Sequence, residues 1–265
     1  MSYEGMAGMR ATLGDVSGLI GALNDGEWAT PSAAADWTVK DVFTHFGDLL
    51  GILASAIGGT LDTDLGIERL NDAHVAAKSS WSSGQVVADL ERQATAVLPM
   101  FESLQEEPNA STQAQLLDLG SYPLHAIPDM FSFDFYTHLR WDVLAPRGPL
   151  SGHDLPAPDE VRLKPAVGWL LAGIPKMQAR IRDSLAKPVT LVLTGPGGGA
   201  WQLDPGTELI TVTPTDPDNT AAARIESTTH AFTAWASTRL PWREQVTVTG
   251  DERTAATFLD ALNLV

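Results

Sequence analysis

The spacing of apolar residues changes character midway along this chain, and that change limits what it can fold into. Up to Leu144 apolar positions recur every three to four residues. Beyond about Val189 the chain turns to short runs rich in β-branched residues. The first pattern buries one stripe of a helix, and the second builds strands. A chain of 265 residues has room for both in separate domains. The reading is a helical N-terminal domain over residues 1–150 and a smaller α+β domain over 151–265. The stretches Ala145–Leu150 and Leu155–Pro158, rich in Pro and Gly, read as a linker.

Met6, Met9, Leu13, Val16, Leu19, Ile20 and Leu23 predict a helix over 4–24. The next helix has the clearest start. Thr38 can accept the amide of Asp41 while the Asp41 side chain reaches back to Thr38, a capping box with Asp in place of the usual Glu or Gln. Trp37 before the cap and Val42 after it suit a hydrophobic staple. The stripe runs Val42, Phe46, Leu49, Leu50, Leu53, Ile57, with His45 beside it, and ends at Gly58-Gly59-Thr60;. Helices follow over 66–80, 83–104 and 129–144, with an irregular polar stretch over 105–127. Such connections allow an antiparallel four-helix bundle. In the second half a helix is predicted over 159–185, strands over 189–193, 209–212 and 245–248, and helices over 228–238 and 252–262. Gly195–Gly199 lacks the Lys-Ser/Thr ending of a phosphate-binding loop and lies between strands, so it reads as a hairpin connection.

Charge and cysteine content narrow the function. A net charge of −16 opposes nucleic-acid backbones and anionic membrane surfaces as partners. The chain has no cysteine, hence no thiolate ligand and no thiol nucleophile, and any thiol chemistry must come from a cofactor. Residues 1–20 do not read as a signal peptide and no stretch is long and apolar enough to span a bilayer. A cytoplasmic protein is expected.

Asp134 and His138 stand four residues apart, side by side on one helix face. Taken alone, an exposed pair contributing ~0.2–0.5 kcal/mol would explain that spacing. Phe131, Phe135, Tyr136 and Trp141 crowd the same helix, however, and a partly buried carboxylate and imidazole need partners. His45 on the capped helix supplies a third donor. Two His and one carboxylate hold a divalent ion, zinc first, and leave positions open for water or substrate. Asp142, a further turn along, reads either as a second-shell acceptor for the ring of His138 or as a solvent-facing residue. His74, His125, His153 and His230 show no ligand-like spacing and read as ordinary histidines.

The stretch from Leu23-Asn24-Asp25-Gly26-Glu27-Trp28 through Pro31 to Trp37-Thr38-Val39-Lys40-Asp41-Val42-Phe43-Thr44-His45 resembles the start of the mycothiol-dependent maleylpyruvate isomerase family. Asp134-Phe135-Tyr136-Thr137-His138 is similar to that family's acid-x-x-x-His segment. Arg239-Leu240-Pro241-Trp242 and Val246–Asp251 resemble the end of its C-terminal domain. The resemblance implies a DinB-like metal-binding bundle followed by a sterol-carrier-protein-like domain, with His45, Asp134 and His138 as metal ligands. It also implies a low-molecular-weight thiol cofactor, mycothiol in actinobacteria, and a small-molecule substrate. Arg239 would bind a carboxylate of thiol or substrate if the C-terminal domain folds over the bundle. The chain departs from the family pattern in carrying Asp134 for Glu, a His138-x-x-x-Asp142 spacing, and Thr238 where Gly precedes the arginine. The expected activity is metal- and thiol-dependent cis–trans isomerisation of a maleylpyruvate-like acid, or thiol S-transfer. The alternative is a non-catalytic carrier of a small apolar ligand in the C-terminal domain, with the bundle as scaffold.

Overall fold

The computed structural model describes residues 3–178, 180–219 and 221–264. Its contacts divide the chain into two compact units, Met1–Ala157 and Pro158–Val265.

The first unit is helical. Its elements are α1 (Glu4–Ile20), α2 (Asp25–Trp28), α3 (Val39–Ile57), α4 (Ile67–Ala77), α5 (Ser83–Ser103), a short hairpin of β1 (Gln113–Gln115) and β2 (Ser121–Pro123), and α6 (Ile127–Thr137). A π-helical segment, His138–Val143, continues α6. Helix α3 packs on α5 and on α4, and α1 packs on α6. The Cα of Leu90 lies 3.3 Å from where a side chain on Gly47 would begin, so a small residue lets α3 and α5 approach closely. Phe43, Phe46, Phe101, Phe131 and Phe135 are fully buried and form the aromatic core. The capping box at Thr38 forms as expected, with Thr38 accepting from the Asp41 amide and Asp41 accepting from the Thr38 amide. The stretch 105–127 is not wholly irregular, because it holds the β1–β2 hairpin.

The second unit comprises α7 (Glu160–Gly173), β3 (Val189–Thr194), β4 (Gly199–Asp204), β5 (Thr211–Pro214), β6 (Ala223–Thr228), α8 (Thr229–Trp235), α9 (Trp242–Gln245), β7 (Thr247–Gly250) and α10 (Glu252–Ala261). The strands form one mixed sheet in the order β5-β4-β3-β6-β7, with β3 parallel to β6 and the other pairs antiparallel. Residues 195–198 link β3 to β4 as a hairpin. The helix predicted to run to 185 stops at Gly173, since Pro175 two residues on disfavours helical continuation. Strands β4 and β6 are additions to the sequence reading. Among the described residues no helix is long and apolar enough to cross a membrane.

Where α1 meets α6, Asp129 lies over Gly5, and a side chain there would begin 2.2 Å from Asp129 Oδ1. Burial, with the charge of Glu4 second, pushes the Asp129 carboxyl up to about 7. A folded pKa above the unfolded one means that the native state holds this proton longer, so the stability it lends is full at acid pH and lost as pH rises from about 4 through 7. The whole shift would be worth ~4 kcal/mol. Asp129 is only partly buried by surface area and sits in the first turn of α6, which favours an anion;. We therefore expect Asp129→Asn to gain about 1–2 kcal/mol at pH 8 and little at pH 4. Urea unfolding of both proteins at the two pH values checks this; equal gains at both would rule out the acid's titration as the cause.

Candidate metal centre

Helix α3 carries His45, and the junction of α6 with the π segment carries Asp134 and His138. His45 follows directly from the cap, which starts the helix at Val39 and so sets which face its seventh residue takes. His45 is 2% exposed. Its Nε2 lies 3.2 Å from Asp134 Oδ1. His138 Nε2 lies 3.7 Å from the same oxygen. The three residues each offer one donor atom, and these atoms all fall within 4.8 Å of one another. The structure thus brings together the three residues singled out as ligands.

Asp142 is 1% exposed and is not the solvent-facing residue that its position near the helix end allowed. Its Oδ2 stands 2.7 Å from His138 Nδ1, within ion-pairing distance although out of line with the ring N–H. Its Oδ1 accepts from the Arg147 guanidinium, which also donates to Trp141 O at 3.0 Å. Two features make this chain of contacts possible. The π segment, seen in the Leu144 N–H donating to Leu139 O five residues back, carries both His138 and Asp142. π-bulges of this kind recur at functional sites. The second is the loop 144–150, which folds back so closely that a side chain on Gly148 would begin 2.3 Å from the Val143 carbonyl carbon. Residues 145–150, read from sequence as linker, are an ordered loop that delivers Arg147.

Aromatic rings enclose the two imidazoles. Phe46, fully buried, lies 6.0 Å from the His45 ring and 5.9 Å from the His138 ring. Trp37, part exposed, lies 5.1 Å from His45 and stacks on His138 at 6.2 Å and 22°. The imidazoles are 5.1 Å apart. Arg147, Phe46 and Trp37 were not read as site residues from the sequence. The His125, His153 and His74 rings lie elsewhere, against Ala110 O (2.8 Å), Glu27 (2.8 Å) and Asp48 (3.8 Å).

Arg239 belongs to the second unit, half-buried beyond α8. Its N–H donates to Ala234 O and that of Thr238 to Trp235 O, the bond pair of a Schellman motif with Thr238 at the left-handed position (φ 58);. Glycine suits that position best, which accounts physically for the Gly expected before the arginine.

Two imidazoles and a carboxylate are a donor set that zinc accepts, leaving a fourth position open. Donor atoms around a tetrahedral zinc lie roughly 3.3 Å apart, from bonds of about 2.0–2.1 Å, against the 3.2 and 3.7 Å seen here. The residues fit such an ion.

Residues 9–125 match the family model described as the mycothiol maleylpyruvate isomerase N-terminal domain. His45 lies inside that stretch, and Asp134 and His138 beyond it. Among solved structures, the crystal structure of the mycothiol-dependent maleylpyruvate isomerase aligns with 93% of this chain and 92% of its own at 18% identity and a TM-score of 0.57. A mutant form of the same isomerase aligns over the same shares at 17% identity and a TM-score of 0.57. No curated protein matches the chain by sequence. The chain therefore shares its fold with the solved isomerase, and its residues 9–125 are similar to the mycothiol maleylpyruvate isomerase N-terminal domain.

Proposed function

We propose that this protein is a metal- and thiol-dependent enzyme acting on a small unsaturated acid, either by cis–trans isomerisation of a maleylpyruvate-like substrate or by thiol transfer. The observation that carries the reading is the convergence of His45 Nε2, Asp134 Oδ1 and His138 Nε2 from separate elements, in a chain whose N-terminal stretch matches a mycothiol isomerase domain. A divalent ion held there would lower the pKa of a bound thiol or water. Addition of a thiolate to a cis double bond conjugated to a carbonyl would leave a single bond that can rotate before the thiolate departs; without departure the outcome is transfer.

The chain's own residues supply the rest. Asp142, steadied by Arg147, favours the proton on His138 Nδ1 and so leaves the Nε2 lone pair facing Asp134;. Asp134 adds the one negative charge of the donor set. Phe46 closes the inner side against water, which strengthens every electrostatic contact within. The absence of cysteine accords with a borrowed thiol.

Cobalt(II) replacement tests the reading. One equivalent should bind with the visible bands of a four- or five-coordinate site, and mycothiol should add a sulfur-to-cobalt charge-transfer band. Mycothiol should also be required for turnover of maleylpyruvate. If cobalt binds but mycothiol changes neither spectrum nor turnover, the thiol part of the proposal is lost; if no equivalent binds, all of it is.

A further inference from the structure

Metal-binding histidines are ordinarily oriented by a hydrogen bond on the ring nitrogen that does not face the metal. His138 follows that pattern in part, with Asp142 2.7 Å from its Nδ1. His45 does not, since its Nδ1 is buried without a hydrogen-bond partner among the described residues. We propose that Trp37 is the positioning residue that takes this role: its indole holds the ring of His45, and with it that of His138, in the orientation that turns both Nε2 atoms toward Asp134. The proposal rests on the metal-centre reading above.

The geometry is that of a clamp with unequal jaws. Phe46 backs both imidazoles from inside and is itself fixed edge-on against Phe135 at 4.8 Å. Trp37 meets both imidazoles from the part-exposed side. With no hydrogen bond on Nδ1, the orientation of the His45 ring about its roughly two-fold side-chain torsion rests on the Nε2 contact to Asp134 and on the rings packed against it;. A ring contact contributes about 0.5–1.5 kcal/mol, enough to favour one orientation by roughly 2- to 10-fold.

Trp37 is suited to this because its own placement is over-determined. The Trp37 carbonyl accepts from the Ser32 amide and the Ser32 hydroxyl, both at 2.8 Å. The indole N–H donates to Asp72 Oδ1 on α4 at 3.2 Å. The same loop is docked on the π segment by the Ala33 N–H, which donates to Asp142 O at 2.8 Å. Asp36, immediately before Trp37, adopts a left-handed backbone (φ 63), a conformation that is unfavourable for most non-glycine residues and persists where surrounding structure enforces it. The strained residue thus sits where the chain must turn to present the indole.

Two substitutions separate ring stacking from mere apolar cover. Trp37→Phe keeps an aromatic face, whereas Trp37→Leu keeps only apolar bulk. Both are made in the full chain and titrated with cobalt(II). Trp37→Phe should bind within about threefold of the parent with the same visible bands. Trp37→Leu should bind about tenfold more weakly, toward the lower end of losses from removing a ligand-orienting partner, with shifted bands and a melting temperature close to that of Trp37→Phe, since both variants lose the indole bond to Asp72. Equal affinity and identical bands in the two variants would overturn the proposal. A separate arm uses the metal-free protein: the His45 ring proton signals in NMR should be sharp in the parent and in Trp37→Phe, and exchange-broadened in Trp37→Leu. If the parent binds no cobalt, the metal-centre reading fails, and unchanged His45 signals in Trp37→Leu would then refute the positioning role on its own terms.

Discussion

Lys78→Met should destabilise the helical unit by about 3 kcal/mol, toward the lower end of the range for breaking one partner of a buried ion pair. Lys78 caps the end of α4 and donates both to Asp48 of α3 and, at 2.5 Å, to Asp89 of α5. The two carboxylates are only 5% and 6% exposed, and Lys78 is 18% exposed. One ammonium therefore joins three helices and is shared by two buried carboxylates. Arg92 also reaches Asp89, but at 67% exposure it contributes little;. Trp81 faces the ammonium at 4.6 Å from its ring centre and adds a modest cation–π attraction;. Burial alone would lower the Lys78 pKa, yet the hydrogen bonds and charges of Asp48 and Asp89 outweigh it and leave the pKa raised. A raised folded pKa means that this contribution is present throughout neutral pH and fades only as pH climbs past the ordinary lysine range. Lys78→Met combined with Asp48→Asn should cost less than Lys78→Met alone, because one stranded carboxylate is gone. Urea unfolding followed by helix circular dichroism measures both. A single-variant loss under about 1 kcal/mol would show that water reaches the carboxylates and that the network behaves as a surface one.

What could be read from the sequence and what could not divide along one physical line. Features settled by neighbours in the chain were legible. The Thr38–Asp41 cap fixes where α3 starts, and the start fixes that His45 turns inward. The Asp134–His138 spacing places both side chains on one face whatever else the chain does. Features settled by distant contacts were not. The π segment from His138 leads into a loop that folds back on Val143, and a sequence reading continued the α-helix to Leu144. Arg147 lies in a Pro-rich stretch whose composition says linker, yet it holds Asp142. Strand β4 carries Gln202 and Asp204 and pairs with β3 and β5, while β6 follows an alanine-rich run and alternates buried Ala223, Ile225 and Ser227 with Arg224 and Glu226. Their membership of the sheet comes from pairing more than from local propensity. Trp37 was legible as a residue before a cap. That its ring meets two imidazoles, tilted on His45 and stacked on His138, follows only once α3 and α6 are side by side.

Removing a ligand is expected to have the largest effect on metal retention. His45→Ala and His138→Ala should each leave the purified protein with less than a tenth of the parent's zinc. Structural zinc sites with four protein ligands bind with about 10–16 kcal/mol, or roughly 3–4 kcal/mol per ligand, and on that scale one loss weakens binding by about 10²–10³-fold. Asp134→Asn keeps the shape of the side chain but removes the negative charge near both Nε2 atoms, and should fall in the same range. Asp142→Asn touches no ion and disturbs only the proton and orientation of the His138 ring, so its loss should be smaller, about 10–100-fold. Folding should respond differently. His45 is the most buried of the three candidate ligands, and its alanine variant leaves a cavity, whereas Asp134→Asn leaves none. Thermal melts of the metal-free proteins should therefore show His45→Ala as the least stable while all three ligand variants share the metal defect. That dissociation is the informative result, because a merely structural cluster would lose metal and stability in the same order. Zinc analysis after dialysis against a weak chelator reads the first quantity and calorimetry the second. Full zinc retention in all three ligand variants would place the ion elsewhere and reduce the His45–Asp134–His138 contacts to a buried hydrogen-bond cluster.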